Sequence, residues 1–404
     1  MSGLPVDLYI REKYIERIRP FIGKSLIKVL TGMRRVGKSY ILFQLISEFE
    51  RNESGDNIIY LNLEDFENSH IRTAQDLHEE IKSRRKEGRC NRILIDEVQE
   101  VEGFERVVRS LALDPANDVY ITGSNAKMLS GELATFLSGR YIQIEVMPLD
   151  YREFLDFNRL EDSDESCTLY CRFGGMPYLN NLKLTTDVAY EYLKSVASTI
   201  VFKDILTRYE VRDAAFLQRL IAFIAENIGD MFSAKKISDY LKSQRTDASV
   251  KQIQNYVSHL CNAYMVSDVR RFNLEGKSIF AIGSKYYFND IGIRNSIVGY
   301  RIDDFGNVME NMVCNHLLTC GYEVYIGDIR GREIDFVGVK DNELVYIQVA
   351  VRIETPETAR REFGNLLEIK DNYPKYVITK DGFEGNTHDG IRILSLRQFL
   401  RDFN

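Results

Sequence analysis

Residues 32–39 read Gly-Met-Arg-Arg-Val-Gly-Lys-Ser, two glycines followed by a lysine and a hydroxyl residue. The string fits the pattern G-x-x-x-x-G-K-[ST], in which successive backbone N–H groups surround phosphate oxygens. Gly32 and Gly37 allow the bends that this requires, Lys38 would reach the β- and γ-phosphates of ATP, and the Ser39 hydroxyl would bind Mg²⁺. The predicted ATP-binding residues are Gly32, Met33, Arg34, Arg35, Val36, Gly37, Lys38, Ser39 and Tyr40.

The sequence on both sides of this loop is typical of a strand and a helix. Residues 26–30 form a short apolar run, and apolar residues recur at helical spacing from Ile41 to Phe49. A helix that begins near Lys38 would add the positive end of its dipole to the phosphate site. The alternative is a glycine-rich turn that binds nothing.

A pair of acidic residues follows another apolar run. Asp96 and Glu97 come directly after residues 93–95, Ile-Leu-Ile, and Asp96 lies 57 residues after Ser39. A strand that ends in a carboxylate would deliver it to the edge of the sheet beside the phosphate loop. We predict that Asp96 holds Mg²⁺ through water and that Glu97 is the base that orients and deprotonates the attacking water. The alternative is an acidic pair that only caps the next helix.

Two further residues are predicted to act on the phosphates. Asn125, with Ser124 beside it, follows the apolar run 119–121, where a side-chain amide can contact the γ-phosphate and the water. Arg140 precedes the apolar run 141–146 and could offset transition-state charge, either in its own chain or from a neighbouring subunit. A solvated arginine is an equally open interpretation of Arg140.

The composition is that of an ordinary globular protein. The chain has 404 residues, of which 44% are hydrophobic and 28% charged, enough for two to four domains. The first 19 residues are rich in charge and lack the apolar core of a signal peptide, so we expect a cytoplasmic protein without a membrane segment. The six cysteines have no spacing that completes a zinc site and are expected to be reduced.

Several of these motifs together resemble one family. The ordered set GMRRVGKS, ILIDEVQ, YITGSN, LSGRY and EVMPLDYREFL is similar to a prokaryotic family of AAA+-type P-loop ATPases related to the STAND and archaeal ATPase groups. Residues 290–292 and 371–379 also resemble that family, so the likeness covers nearly the whole chain. It implies an α/β core in which a five-stranded parallel sheet has the strand before Asn125 between the strand before Gly32 and the strand that ends in Asp96.

We predict four regions along the chain. An AAA+-type P-loop ATPase core over 1–150 precedes a helical lid over 151–215, a winged-helix domain over 216–300 and a nuclease-like α/β domain over 301–404. Within the winged helix, Ser233 and Ser249 are predicted to begin two helices, and residues 266–288 to form strands.

The predicted winged helix is basic within an acidic chain. From Ser233 to Tyr287 there are nine Lys or Arg and four Asp or Glu, a local charge of +5 against −7 for the whole protein. That balance permits phosphate contacts and makes DNA a candidate partner. Contact with an unidentified protein is the equally open alternative. The residues available for phosphate contacts are Lys235, Lys236, Lys251, Arg270, Arg271 and Lys277.

The carboxy-terminal region resembles the PD-(D/E)XK nuclease core but departs from it. Glu310 on a helix, Asp335 on a strand and Gln348 on the next strand match its metal-binding positions, while Ala350 stands where the resemblance requires a lysine. A methyl group cannot assist the attacking water, and a neutral amide binds Mg²⁺ more weakly than a carboxylate. We therefore predict a degenerate site with little or no cleavage activity. Lys340, Arg352 and Lys370 are the nearest cations in sequence that could replace the missing lysine.

Three functions are compatible with these residues. The favoured one is a Mg²⁺-dependent ATPase that couples its nucleotide state to a protein or DNA partner. We expect no membrane partner, and a homo-oligomer is compatible with this function. The alternatives are an ATP-dependent DNA-processing nuclease and a slow ATP-binding switch or scaffold.

Overall fold

The computed structural model describes two compact units of the chain. Unit 1 contains residues 1–147 and 262–264, and unit 2 contains residues 148–261 and 265–404. The residues that the structure describes are 9–52, 55–126, 139–211, 213–243, 249–276, 278–353, 356–381 and 387–404, with the backbone alone for 280–282 and 356–361.

Unit 1 is built around a parallel sheet of five strands, β1 to β5. The strands are β1 (Ile27–Thr31), β2 (Asn57–Asn62), β3 (Asn91–Asp96), β4 (Asn117–Gly123) and β5 (Tyr141–Glu145). Their order in the sheet is β2-β3-β4-β1-β5, so β4 lies between β1 and β3. This confirms the sheet that the family resemblance implied, an α/β fold consistent with a P-loop nucleotide-binding protein.

Helices cover both faces of this sheet. The helices are α1 (Glu12–Ile18), α2 (Lys38–Arg51), α3 (Ala74–Arg84) and α4 (Phe104–Ala112). Val119 and Ile121 of β4 belong to an apolar core shared with α3 and α4, whereas the ring of Tyr120 lies 5.8 Å from that of Phe49 in α2. Because successive strand residues point to opposite faces, both sides of β4 are buried, as a central parallel strand requires.

Ion pairs are buried where the strands of unit 1 begin. Lys28 in β1 is fully buried and pairs with Asp118 in β4. Arg92 in β3 also pairs with Asp118 and lies 2.9 Å from Asp56. Burial lowers the pKa of Lys28, which the charge of Asp118 opposes. Each charge therefore has a partner, and removing one would leave another buried and uncompensated.

The first part of unit 2 is helical. Its helices are α5 (Tyr151–Asn158), α6 (Asp164–Phe173), α7 (Thr186–Thr199), α8 (Ala214–Glu226), α9 (Ala234–Ser243) and α10 (Val250–Asn262), and α7 continues into a π-helical segment, Ile200–Thr207. The backbone N–H of Lys236 donates to Ser233 at 3.3 Å and that of Gln252 donates to Ser249 at 3.1 Å. Both serines therefore act at helix starts, as their positions predicted.

The remainder of unit 2 forms a mixed sheet of eight strands in the described residues. The strands are β6 (Val266–Asn273), β7 (Ser278–Phe288), β8 (Glu323–Ile329), β9 (Arg332–Lys340), β10 (Glu343–Ala350), β11 (Lys375–Thr379), β12 (Thr387–His388) and β13 (Ile391–Ser395). The helices α11 (Ile291–Val298), α12 (Phe305–Thr319), α13 (Pro356–Glu368) and α14 (Leu396–Asp402) alternate with them. The strand order is β12-β13-β11-β10-β9-β8-β6-β7.

The hairpin of β6 and β7 belongs to this large sheet. Arg271, Phe272 and Asn273 of β6 pair in parallel with residues 326–328 of β8. The predicted winged helix over 216–300 and the predicted nuclease-like domain over 301–404 thus share one sheet across residue 300. Their division into separate domains stays a prediction.

Two motifs noted in the sequence meet at the start of α11. Asp290 accepts hydrogen bonds from the backbone N–H groups of Ile293 at 2.8 Å and Gly175 at 2.7 Å. A Cβ atom at position 292 would lie 1.8 Å from the carbonyl oxygen of Phe173. Only glycine fits there. The Asp-Ile-Gly sequence and the Gly174-Gly175 turn therefore pack directly against each other.

Candidate functional site

The predicted phosphate loop joins β1 to α2 in unit 1. Gly32, Arg35 and Gly37 have φ angles of 142°, 68° and 95°. A Cβ atom on Gly32 would lie 2.3 Å from the carbonyl oxygen of Val146, so the loop passes too close to the residue after β5 for any side chain. Helix α2 begins at Lys38, immediately after Gly37. The loop thus turns back toward a helix amino terminus, an arrangement suited to an anion.

Lys38 lies at the centre of the site. Its ammonium nitrogen donates to the carbonyl oxygens of Gly32 and Met33, both at 3.1 Å, and lies 3.6 Å from Oε1 of Glu97. The side chain is buried, with 3% of its surface exposed. The structure therefore brings the predicted phosphate-binding lysine and the predicted base together.

Asp96 lies against the first residues of α2. Its carboxylate accepts hydrogen bonds from Ser39, from Thr122 Oγ1 at 2.5 Å and from the hydroxyl of Tyr60 at 3.1 Å. Burial raises the pKa of Asp96, and the hydrogen bonds from Ser39 and Thr122 oppose that rise. A hydroxyl and a carboxylate side by side are oxygen ligands of the kind that Mg²⁺ prefers, so these residues fit that ion.

Glu97 is held in an uncommon conformation. Its φ is 54°, and its backbone N–H donates to Thr122 Oγ1 at 2.8 Å. The side-chain amide of Gln99 donates to Glu97 Oε2 at 2.5 Å and to Ser124 Oγ at 3.4 Å. Burial alone would raise the pKa of Glu97, but the charge of Lys38 and the hydrogen bond from Gln99 lower it below its ordinary value. The carboxylate is therefore ionised, as a base must be.

Ser124 and Asn125 directly follow β4, at the end of the sheet where the phosphate loop begins. Thr31 of β1 pairs with Gly123 of β4, so the two chains leave the sheet side by side. Ser124 and Asn125 are both buried. The geometry is compatible with the predicted sensor role of Asn125, which stays a prediction.

The other loop residues differ in their surroundings. Met33 and Val36 are buried, and Arg34 donates to Glu64 Oε1 at 2.7 Å. Arg35 and Tyr40 are exposed, Tyr40 to 47%. An exposed ring at the start of α2 is available to a ligand, whereas Met33 and Val36 can contribute only their backbone groups.

Arg140 lies where the strands begin, at the opposite end of the sheet from the phosphate loop. Its carbonyl oxygen accepts a hydrogen bond from the N–H of Ile27, the first residue of β1, and its side chain is exposed. Since parallel strands rise about 3.3 Å per residue, Ile27 and Gly32 are separated by about 16 Å. This separation disfavours action of Arg140 on the nucleotide of its own chain, and that role stays a prediction. Its action on a neighbouring subunit stays a prediction, and Ser138 lies outside the described residues.

Arg11, which the sequence did not single out, supports the phosphate loop. Its guanidinium donates to the carbonyl oxygens of Val36 at 2.9 Å and Met147 at 3.0 Å, and it is almost fully buried. The guanidinium carbon also lies 4.6 Å from the centre of the Tyr14 ring. Arg11 thus connects the loop to the segment after β5. The available signal was an arginine directly before the first residue of α1.

In unit 2, the three residues of the predicted degenerate nuclease site do come together. The backbone N–H of Asp335 donates to Gln348 Oε1 at 3.2 Å, and the charges of Glu310 and Asp335 act on each other. The three predicted replacement cations lie elsewhere. Lys340 lies over the Tyr322 ring, Arg352 lies near Asp381, and Lys370 donates to the carbonyl of Leu367. The nearby cation is instead Lys285 of β7, 3.4 Å from Glu310.

The predicted phosphate-contact residues of the basic region are mostly on the surface. Lys235, Lys236, Lys251 and Arg270 are exposed, Arg271 pairs with Asp328, and Lys277 lies outside the described residues. The six cysteines are free thiols. In the part of the chain that the structure describes, no helix has both the length and the apolar character needed to cross a membrane.

Comparison with known proteins defines the class of this site. Residues 24–155 match the model of the AAA domain, residues 164–304 match a domain of unknown function (DUF8612), and residues 305–399 match another (DUF4143). The sheet, the phosphate loop and the AAA match together make unit 1 a P-loop nucleotide-binding domain of the AAA class.

Full-length relatives give the family. An uncharacterized protein of Haemophilus influenzae is 36% identical over 396 residues, which are 96% of this chain and 98% of the relative. The chain belongs to the family of that protein. An uncharacterized protein of Methanocaldococcus jannaschii is 29% identical over 384 residues, 90% of this chain and 84% of the relative.

Among solved structures, the Aeropyrum pernix ORC1 protein in complex with DNA has a TM-score of 0.36 and 12% identity. That match covers 73% of this chain and 94% of the other. The AMPPCP-bound DnaA of Aquifex aeolicus has a TM-score of 0.30 and 14% identity, over 61% of this chain and 86% of the other.

Proposed function

We propose that unit 1 binds ATP and hydrolyses it to ADP and phosphate with the help of Mg²⁺. The observation that carries this proposal is the position of Lys38, buried between the carbonyl groups of its own loop and the Glu97 carboxylate. In that position one cation is close both to a cradle of backbone N–H groups and to an ionised base.

Each residue then has one task. The backbone of residues 32–39 and Lys38 bind the phosphates, and Asn125 contacts the γ-phosphate and the attacking water. Glu97 accepts a proton from that water, a role supported by its position beside Lys38 and by its ionised form at neutral pH. Gln99 is a positioning residue because it fixes Glu97 Oε2 relative to Ser124. Ser39 and Asp96 would hold Mg²⁺, which offsets charge on the phosphate oxygens.

Binding is tested with Lys38→Ala in the full chain. The variant should lose ATP binding in isothermal titration with Mg²⁺ present, while its circular dichroism shows a retained fold. Its melting temperature should fall, because Glu97 loses its buried cation. Lys24→Ala is the matched control, because Lys24 is exposed just before β1, at the other edge of the sheet. ATP affinity unchanged in Lys38→Ala would refute the site.

The nucleotide state is proposed to be coupled to a partner of unit 2. The exposed basic side chains of α9, α10 and β6 favour DNA as that partner, since they can neutralise phosphates. Helices α8 to α10 followed by the β6–β7 hairpin occur in the order that a winged helix requires. A protein partner is the alternative, and stimulation of ATP turnover by duplex DNA separates the two.

A homo-oligomer is proposed because Arg140 is exposed far from its own loop. There its guanidinium is free to reach the nucleotide of a neighbouring subunit, where it would offset transition-state charge.

A further inference from the structure

Three acidic side chains of unit 2 surround one lysine. Lys285 Nζ lies 2.7 Å from Oε1 of Glu333 and 3.4 Å from Oε2 of Glu310, and the charge of Asp335 also acts on it. The lysine is only 4% exposed. Glu310 Oε2 also accepts a hydrogen bond from the hydroxyl of Tyr287 at 3.0 Å. We name these residues, Tyr287, Lys285, Glu310, Glu333 and Asp335, the Lys285 cluster.

The other oxygens near the cluster are occupied by the backbone. Asp335 Oδ2 accepts the N–H of Val349 at 2.7 Å, and Gln348 Oε1 accepts the N–H of Asp335 at 3.2 Å. Ala350 adds a buried methyl group on the same strand. The amide and carboxylate oxygens of β9 and β10 therefore stabilise the pairing of these strands.

A nuclease-like domain implies a divalent metal ion, and these residues do not fit one. Mg²⁺ requires several oxygen ligands at about 2.1 Å in octahedral geometry. Here the ammonium of Lys285 lies among the carboxylates that would have to supply them. Within the described ranges, no three His, Cys, Asp or Glu side chains are arranged to hold an ion together.

We propose that Lys285 is the built-in cation of this cluster and takes the place of a divalent metal ion. The ammonium neutralises Glu310 of α12 and Glu333 of β9 from β7, so it fastens the β6–β7 hairpin to the rest of unit 2. This role is independent of ATP binding in unit 1. The Lys285 cluster then has a structural role. The bound ammonium also gives a physical reason for the lack of nuclease activity that Gln348 and Ala350 predict.

The test compares Lys285→Met with the unaltered full chain, in the absence of nucleotide and with or without Mn²⁺. Lys285→Met leaves buried carboxylates without their cation, so its melting temperature should fall by about 10 °C. Millimolar Mn²⁺ should recover part of that loss, because the vacated space becomes an acidic site. The recovery should disappear in the double variant Lys285→Met, Asp335→Asn. Lys242→Met, at an exposed lysine of α9, is the control and should melt like the unaltered protein.

The unaltered protein gives the decisive comparison even where Lys285→Met does not fold. Its melting temperature should not respond to Mn²⁺ in an Asp335-dependent way, and it should leave supercoiled DNA intact with Mn²⁺ or Mg²⁺ and ATP. Stabilisation by Mn²⁺ that Asp335→Asn removes, or DNA cleavage lost in Asp335→Ala, would overturn the proposal. Equal melting of Lys285→Met and the unaltered chain would overturn it as well.

Discussion

The ammonium nitrogen of Lys38 lies 3.6 Å from Oε1 of Glu97, although 59 positions separate the two residues in the sequence. They meet because β1 and β3 both pair in parallel with β4. The loop after β1 and the acidic pair after β3 therefore lie at the same end of the sheet, where the strands end. The charge of Lys38 lowers the pKa of the buried Glu97 carboxyl and so favours its ionised form. In the proposed mechanism, this ion pair links ATP binding at Lys38 to hydrolysis at Glu97.

Gln99→Ala should change the pH dependence of ATP turnover. The pKa of Glu97 is lowered, so its charge is present at neutral pH and is lost only as the pH falls below the usual range of a glutamate, about 4.3. Without the hydrogen bond from Gln99, burial acts with less opposition and the pKa rises. The acid limb of kcat/KM should therefore move to higher pH, as measured in steady-state assays. Gln75→Ala, exposed on α3, is the control, and superimposable profiles would refute the role of Gln99.

Arg11→Ala should weaken ATP binding through the shape of the phosphate loop. The guanidinium makes two hydrogen bonds that connect Val36 to Met147, and charged hydrogen bonds are worth about 1.5–3 kcal/mol each. We expect the Kd for ATP to rise at least about tenfold in isothermal titration. Arg17→Ala, at an exposed position of α1, which begins directly after Arg11, should bind normally. Wild-type affinity in Arg11→Ala would show that the loop holds its shape without it.

Much of unit 1 could be predicted from the sequence because its signals are local. The glycines at 32 and 37, the apolar run before Asp96 and the helical spacing after Ser39 each depend on neighbours in the chain. Arg11 and Gln99 could not be assigned in this way. Their roles depend on contacts with Val36, Met147 and Ser124, which approach only after the sheet has formed.

Lys28 and Lys285 show the same limit for charged residues inside strands. Lys28 interrupts an apolar strand, and its charge is compensated by Asp118 on the adjacent strand, a contact that the sequence around Lys28 does not show. Lys285 belongs to the predicted winged helix, yet its partners Glu310 and Glu333 belong to the predicted nuclease-like region. Proximity in sequence to Ala350 could not point to Lys285, because the shared sheet brings this lysine to the cluster from β7.

Arg140→Ala should bind ATP but turn it over about 10³-fold more slowly, the usual loss for an arginine that acts across subunits. Mixing it with Lys38→Ala should restore part of the activity, because each Lys38→Ala subunit brings an intact Arg140 to a neighbour whose loop is intact. The rate of the mixture in a phosphate-release assay is the measurement. Full activity of Arg140→Ala alone would leave this arginine as a solvated side chain.

DNA binding by unit 2 should depend steeply on salt. Each phosphate contact releases counterions, so log K should fall with log salt with a slope near −0.9 per contact. Fluorescence anisotropy of a labelled duplex at several salt concentrations measures that slope. Replacing both Lys235 and Lys236 by alanine should make it shallower by about two contacts. Failure to bind duplex at low salt would favour a protein partner.

Glu97→Gln tests the central claim most directly, because it separates ATP binding from hydrolysis at a single carboxylate. The substitution keeps the size of the side chain and removes the charge that accepts the proton. ATP should bind in isothermal titration, whereas turnover in a phosphate-release assay should fall by about 10²–10⁴-fold. Glu102→Gln, exposed on the same segment, should hydrolyse ATP normally. Wild-type turnover by Glu97→Gln would contradict the assignment of the base and with it the proposed mechanism.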